Sequence, residues 1–484
     1  MLAQRLAATT FAALLREERN TNRVCQMNRR RFLATFAAAS LAHREAYCQQ
    51  QATLSLVRGA LGPAIPRDFT GLSYEAAQLA NPEFFSPGNT ELVKLFRQLS
   101  PSGNLRIGGG SSEFTSFSEA DPTGPPPFEV FGPDTSKTVK QGTTTTALAL
   151  RNLRGFLDAT NWNCLYGLNL GQGTKENAAA EAAAAQRILG PRLLAFQIGN
   201  EPDSFRNRYR PAAYGPGDFL VEWNAFHDAI VAKTSTAKFA GPDISNKQAY
   251  LTAFAAEAPK HPDVILLTGH YYAMGPASNP DATLDQLFEV EPKLATIHQH
   301  NLDDIFAAMK TAHLPFRMSE GNSCWDGGKP GVSDTLASAL WCADMMLRFA
   351  QYGWVGVNLH GGGNGFYTPI AGAPSSGFTR RPEYFGMQFA QALTGASFLG
   401  STLSGASSHV STYALEQNGR RRIAIVNKQD APITIMLPGR PKAEALVLTG
   451  PSVESKEGTT LSLSKVATTR LNTIPAYTAI LYDL

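Results

Sequence analysis

Between residues 67 and 395, short apolar runs alternate with longer segments whose apolar side chains recur at helical spacing. Eight of the short runs read as strands: Phe69 to Tyr74, Asn104 to Ile107, Leu165 to Leu170, Leu193 to Ile198, Lys238 to Pro242, Val264 to Tyr271, Phe316 to Ser319 and Val355 to His360. The plainest helix runs from Lys175 to Leu189, alanine-rich and stopped by Gly190-Pro191. Another spans Asp334 to Tyr352 and stops at Gly353. Each strand is followed by room for a helix, which predicts an α/β chain closed into a (β/α)8 TIM barrel. A doubly wound open sheet is the alternative, but no Gly-x-Gly-x-x-Gly follows the first strand to support it.

After residue 396 the texture changes. Val410 to Leu415, Arg422 to Asn427, Ile433 to Leu437, Ala445 to Leu448 and Thr478 to Tyr482 are short runs between turns rich in Gly, Pro and Asn. That spacing predicts a C-terminal all-β sandwich domain. Residues 52 to 58 also alternate and read as one further strand of it. The expected organisation is a leader over 1–50, an N-terminal strand over 51–66 joining the β-domain, the barrel over 67–395 and the sandwich over 396–484.

Composition narrows the partners. A net charge of +3 on 484 residues gives no reason to expect nucleic acid or an anionic membrane. Of five cysteines, Cys25 and Cys48 lie in the leader, so an odd three remain, and no disulfide framework is expected. No Cys or His pair has zinc spacing, and neither metal nor cofactor is expected. The leader carries Arg29-Arg30-Arg31-Phe32-Leu33 before the small-residue apolar stretch Ala34 to Ala42. This is the pattern of a twin-arginine export signal, too short to span a bilayer. The mature chain is therefore expected to be exported, periplasmic or extracellular, without membrane insertion. Met27 directly precedes the motif, which leaves Met1 and Met27 both open as the start.

Two apolar runs end in a carboxylate. Phe196-Gln197-Ile198-Gly199 gives way to Asn200-Glu201-Pro202, where proline forbids the ladder to continue. Further on, Pro315-Phe316-Arg317-Met318-Ser319 leads into Glu320-Gly321. Both glutamates fall at the C-terminal ends of strands, four and seven in order, where barrels of this type carry their chemistry. Two such carboxylates are what a retaining glycosidase needs, one to protonate the leaving oxygen and one to attack the sugar. Glu201 then has to be protonated, which burial beside an ionised Glu320 favours. Arg106 and a tyrosine of the sixth strand, Tyr271 or Tyr272, are candidate donors that keep Glu320 ionised. Taken singly, Glu201 reads equally as a turn carboxylate capping the next helix.

Several segments together resemble glycoside hydrolase family 79, the β-glucuronidases and heparanase. They are Gly71-Leu72-Ser73-Tyr74-Glu75, Leu105-Arg106-Ile107-Gly108-Gly109, Asn200-Glu201-Pro202, His270-Tyr271-Tyr272, and Ser319-Glu320-Gly321-Asn322-Ser323 with Gly327-Gly328-Lys329-Pro330-Gly331-Val332-Ser333-Asp334. The resemblance covers nearly the whole mature chain. It implies retaining hydrolysis of a β-linked glucuronic acid, with Glu201 as acid/base, Glu320 as nucleophile and a glucuronate-containing carbohydrate as partner. It also implies that Asn200 meets the sugar 2-hydroxyl, Glu75 the 3- or 4-hydroxyl, and that Gly110 stands at a sugar-contact position. Family members hold the glucuronate carboxylate with a Tyr and glycine amides after the nucleophile and a Tyr after strand eight. Gly327 and Tyr367 match this set, but Trp325 stands where the first Tyr is usual and offers a ring N–H without a hydroxyl. A neutral-sugar β-glycosidase is thus the nearest alternative, and a catalytically silent carbohydrate-binding protein the more distant one. Tyr209, Tyr214, Trp223, Phe366 and Tyr367 are aromatic candidates for sugar stacking, with core packing the commoner role for such residues.

Overall fold

The computed structural model describes residues 51–121, 142–289, 302–362 and 365–484. The leader, with its export motif, lies outside them. Eight parallel strands form a closed ring: β1 (Thr70–Glu75), β2 (Gly103–Gly108), β3 (Trp162–Leu168), β4 (Leu193–Ile198), β5 (Phe239–Ile244), β6 (Val264–Tyr272), β7 (Phe316–Asn322) and β8 (Gly356–His360). β8 pairs with β1 to complete it. The crossovers carry α1 (Thr90–Leu99), α2 (Ala147–Thr160), α3 (Lys175–Leu189), α4 (Pro216–Lys233), α5 (Gln248–Glu257), α6 (Leu302–Ala312), α7 (Leu336–Gln351) and α8 (Pro382–Gln391). The expected (β/α)8 barrel is therefore present. α3 has the bounds its alanine content and Gly190 stop predict, and Thr174 caps its N-terminus by accepting from the Asn177 N–H.

β5 and β7 run further than their apolar pattern suggests, through Asp243-Ile244 and Glu320-Gly321-Asn322. The extra residues lie at the barrel mouth, where polar side chains replace apolar ones, so hydrophobicity cannot mark the strand end. Below the mouth, alternation divides the strands into two sets. Leu72, Leu105, Ile107, Phe196, Phe239, Met318 and Leu359 join Leu92, Phe96, Leu150, Phe156 and Trp341 of the helices in one core. The inner set is polar and buried: Asn104, Arg106, Gln197, Thr268, Arg317 and Asn358. Arg317, near the N-terminal end, donates to Asn358 Oδ1 at 2.9 Å and to the Asp68 carbonyl at 2.7 Å. Its burial lowers the guanidinium to about 10. An interior of this kind holds only if its donors find acceptors, and these cross between strands.

Beyond α8 lies an antiparallel domain of two sheets. One orders Ser397–Leu399, Val410–Gln417, Arg420–Asn427, Thr478–Asp483, Glu444–Thr449 and Thr460–Lys465; the other orders Ser401–Ser404, Gln51–Leu56, Ile433–Met436 and Leu471–Ile474. Gln51–Leu56 thus enters the second sheet, antiparallel to Ser401–Ser404 and parallel to Ile433–Met436. The sheets share a core of Ala52, Leu54, Ile423, Ile425, Ile433, Ile435 and Ile480. Four strands escape the sequence pattern. Thr460–Lys465 shows why: an edge strand with four of its six residues exposed, it needs no apolar face. α7 meets this domain through a buried ion pair, Lys428 Nζ to Asp344 Oδ2 at 2.7 Å. Ser411 Oγ at 3.0 Å and Tyr413 Oη at 2.5 Å donate to the same carboxylate. No helix among the described residues is long and apolar enough to cross a membrane.

Candidate active site

β4 stops at Ile198, and Gly199, at φ 87°, turns the chain over the barrel mouth. Glu201 follows in the left-handed region at φ 51° and ψ 54°, a costly conformation for a non-glycine residue that precedes proline. Its N–H donates to the Asp243 carbonyl at 2.9 Å, which holds the turn. The Glu201 side chain makes no cap to the following turn, so the capping role does not apply. Glu320 is set differently. The register of β7 against β6 shifts between Met318 and Glu320, and such a bulge re-aims the side chains beyond it. Glu201, His270 and Glu320 each place a donor atom within 4.8 Å of the other two.

Arg106 of β2 is the hub. Its Nη1 donates to Glu320 Oε2 at 2.5 Å and to Ser73 Oγ at 3.2 Å. Nη2 donates to Asn200 Oδ1 at 2.7 Å and Asp243 Oδ2 at 2.5 Å, and Nε to Gln197 Oε1 at 3.1 Å. All five guanidinium protons are engaged, by five residues from four barrel strands or their ends. Asp243 Oδ1 in turn accepts from Gln197 Nε2 at 2.6 Å and Ser319 Oγ at 2.5 Å.

His270 of β6 spans the two halves of the site. Its Nδ1 lies 2.9 Å from Glu201 Oε1 and its Nε2 3.2 Å from Asp243 Oδ1. Burial pushes this imidazole down, but Glu320, Asp243 and the two contacts outweigh it and raise it to about 10. It is an imidazolium at neutral pH. Burial also pushes Glu320 up, yet the charges of His360, His270 and Arg106 and the Tyr272 hydroxyl, 2.8 Å from Oε1, bring it to about 2. Glu201 goes the other way: burial raises it, and the opposing pull of His270 does not cancel this. Two neighbouring carboxyls are thus shifted in opposite directions by their environment. The trio has donors for a cation, but Arg106 and the His270 imidazolium already occupy the charge such an ion would take.

The other sequence-derived residues divide. Asn200 sits inside the cluster, its N–H donating to the buried Glu113 carboxylate. Burial raises Glu113 to about 7 against the backbone donors of Asn200 and Gly171. Glu75 faces the same mouth, accepting from the Ser111 N–H at 2.7 Å with His360 Nε2 3.6 Å away. Gly109, at φ 72°, leaves room for that carboxylate; a Cβ there would come within 2.4 Å of it. Gly110 opens the neighbouring turn and faces free space. Tyr272 is at the site and Tyr271 is not: alternation sends the latter outward, buried edge-on against Phe349 of α7 at 5.1 Å. Tyr367 is buried with its ring 6.4 Å from Tyr272 and 6.0 Å from His360. Gly327 is tied to that loop by accepting the Phe366 N–H at 2.6 Å. Trp325 stands at the rim, 44% exposed, its backbone N–H donating to the Gly275 carbonyl at 3.0 Å. Trp223 and Tyr214 are buried in the helical layer, and Tyr209 packs on Phe205. Sequence reasoning assigned no role to Asp243, His270, His360, Gln197 or Glu113. An aspartate directly after Gly241-Pro242, at the end of the fifth strand, was the available signal for the first.

No protein-family model matches the chain. By sequence it is similar to the β-glucuronidase of Neurospora crassa, 24% identical over 308 residues, or 58% of this chain and 54% of that protein. A β-glucuronidase of Aspergillus niger is 24% identical over 257 residues, 48% of this chain and 47% of the relative. The chain thus matches about half the length of these relatives. By fold it is similar to a 4-O-α-L-rhamnosyl-β-D-glucuronidase from Fusarium oxysporum, with TM-score 0.71, 17% identity, and coverage of 90% of this chain and 100% of that one. A family 51 arabinofuranosidase from Xanthomonas axonopodis pv. citri follows at TM-score 0.66 and 16% identity, covering 90% and 99%. The chain is β-glucuronidase-like in sequence and shares its fold with glycoside hydrolases.

Proposed function

We propose that the chain is a retaining glycoside hydrolase acting on terminal β-linked glucuronic acid. The observation that carries this reading is the pair of carboxyls at the ends of β4 and β7, close together and shifted in opposite directions by their surroundings. Separations near 5 Å suit attack by one carboxylate rather than by an interposed water, which would need roughly 6.5 Å or more. Glu320, ionised and gripped by Arg106 and Tyr272, attacks the anomeric carbon. Glu201 gives its proton to the departing glycosidic oxygen; the new bond is an ester from sugar to Glu320. Glu201, now ionised beside the His270 imidazolium, takes a proton from water, whose oxygen displaces Glu320 and restores both carboxyls. Asn200, fixed by Arg106 and Glu113, is placed for the 2-hydroxyl, and Glu75 for a hydroxyl further round the ring.

The uronate carboxylate is assigned to the Gly327–Tyr367 side of the mouth, where backbone amides and phenols supply donors without a full charge. The similarity of sequence to two β-glucuronidases supports this choice of sugar. The second reading, a neutral β-glycosidase, is favoured by Trp325, which brings no hydroxyl to that side. Hydrolysis of nitrophenyl β-glucuronide beside the β-glucoside, β-galactoside and β-xyloside decides between them. Clear preference for the glucuronide supports the first reading, and preference for a neutral sugar replaces it with the second. A 2-deoxy-2-fluoro glucuronyl fluoride should label Glu320, and labelling elsewhere would overturn the mechanism. Export of the mature chain through a twin-arginine route is proposed on the leader motif, with Arg29→Lys plus Arg30→Lys retaining the protein in the cytoplasm as its test.

A further inference from the structure

Far from the carboxylate pair, at the opposite end of the barrel, a second set of metal-competent side chains comes together. Asp263 immediately precedes β6, and its carbonyl accepts the N–H of Phe239, the first residue of β5. His261 sits two residues earlier in the same turn, its N–H donating to the Ala258 carbonyl at 2.9 Å and its carbonyl accepting from Val264 at 3.0 Å. His227 comes from α4. One donor atom from each of His227, His261 and Asp263 lies within 4.8 Å of the other two.

The surroundings hold these groups as a metal site requires. The His227 ring is stacked on Trp223 at 5.0 Å, tilted against Phe239 at 4.7 Å and edge-on to His261 at 4.5 Å. His261 also meets Trp223 edge-on at 5.2 Å. Both imidazoles are therefore set by aromatic packing rather than by solvent. His227 Nε2 points at Asp263, 3.1 Å from Oδ2, while Nδ1 lies 3.2 Å from Asp228 Oδ1. A ligating histidine ordinarily has such a carboxylate on its second nitrogen, fixing the tautomer. His261 Nε2 is buried without a hydrogen-bond partner, with Glu257 Oε1 3.6 Å away. Asp263 keeps 20% of its side chain exposed, which gives an ion a way in.

We propose that His227, His261 and Asp263 form a binding site for one divalent transition-metal ion, of which zinc is the best match. Two imidazoles and a carboxylate suit a borderline ion rather than calcium or magnesium, which take oxygen donors. Binding ties α4 to the turn that starts β6, on the face of the barrel where residues serve stability rather than chemistry. The two histidines are far apart in sequence and lie on different elements, which is why motif spacing gave no sign of them.

The test uses the full chain, stripped with chelator and titrated with zinc chloride, reading stoichiometry by native mass spectrometry, affinity by calorimetry and Tm by scanning. One zinc per chain at micromolar Kd or tighter, with Tm rising by a few degrees at saturation, is the expected result. His261→Ala and Asp263→Asn should each weaken that binding at least about tenfold with unchanged far-UV circular dichroism. Glu201→Gln, which alters the other candidate cluster, should leave it untouched. Binding only at millimolar zinc, binding that survives both His261→Ala and Asp263→Asn, or binding lost in Glu201→Gln would each overturn the proposal.

Discussion

Asp243→Asn tests whether the network under the two carboxyls is held as described. In the native chain four donors face the Asp243 oxygens: Arg106 Nη2 on Oδ2, and Gln197 Nε2, Ser319 Oγ and His270 Nε2 on Oδ1. Asparagine keeps one acceptor oxygen. With its NH2 toward Arg106, two donors meet at the present 2.5 Å, which neither can relieve by rotation. With the NH2 on the other side, Gln197 has to flip to accept, and its oxygen then leaves Arg106 Nε, which it now serves at 3.1 Å. Either orientation leaves one guanidinium proton unmatched, in a group that is fully buried. Removing one partner of a buried ion pair costs about 3–5 kcal/mol, a large part of the roughly 5–15 kcal/mol that holds a domain folded. The variant should still fold, with an unfolding midpoint clearly lowered in urea. Because the Asp243 carboxylate also faces the second nitrogen of His270, which lies against Glu201, and Arg106 grips Glu320, both carboxyls should shift. A displacement of about 1 Å can cost on the order of 10²-fold in kcat/KM. Urea unfolding beside nitrophenyl glucuronide kinetics measures both. Native stability together with native kcat/KM would refute the reasoning, since Arg106 would then not depend on Asp243.

Three further outcomes follow from the same structure. Glu201→Ala should abolish the alkaline limb of the pH–rate profile and slow turnover by about 10²–10⁴-fold; added azide should restore rate and release a β-glucuronyl azide, and no azide product would count against its role as acid/base. Glu113 and Glu181 are both raised to about 7 by burial, so the folded chain binds more protons than the unfolded one between about pH 4.5 and 7, and their contribution falls as pH rises through that window. Glu181→Gln keeps an acceptor for Tyr166 Oη at 2.8 Å and should reduce that slope by up to about 1.4 kcal/mol per pH unit, read from denaturation at several pH values. Asp243 and Glu320, held below their ordinary values, act oppositely, with stability present above about pH 4 and lost as pH falls toward 2. Lys428→Met should cost about 3–5 kcal/mol by stranding Asp344, whereas pairing it with Asp344→Leu should recover most of that loss in a thermal melt.

The barrel was legible because its strands bury apolar side chains against helices, and that demand writes a pattern along the chain. Glu201 and Glu320 were legible for the converse reason, as carboxylates placed where such a pattern breaks off. Tyr271 and Tyr272 could not be separated. Adjacent residues on a strand differ only in which face they present, and the face is settled once β6 takes its register between β5 and β7. The polar interior was equally hidden. Nothing local in Asp243, Gln197 or Ser319 says that they meet around Arg106, because each lies on a different strand and their contact exists only when the sheet closes. Thr460–Lys465 adds the other kind of silence, an edge strand whose exposed face carries no apolar signal. Sequence by itself marked the barrel strands and singled out the two carboxylates, since burial and backbone chemistry act locally. Closure of the barrel decided which way each carboxyl shifts, because that depends on charges brought within a few ångströms from distant parts of the chain.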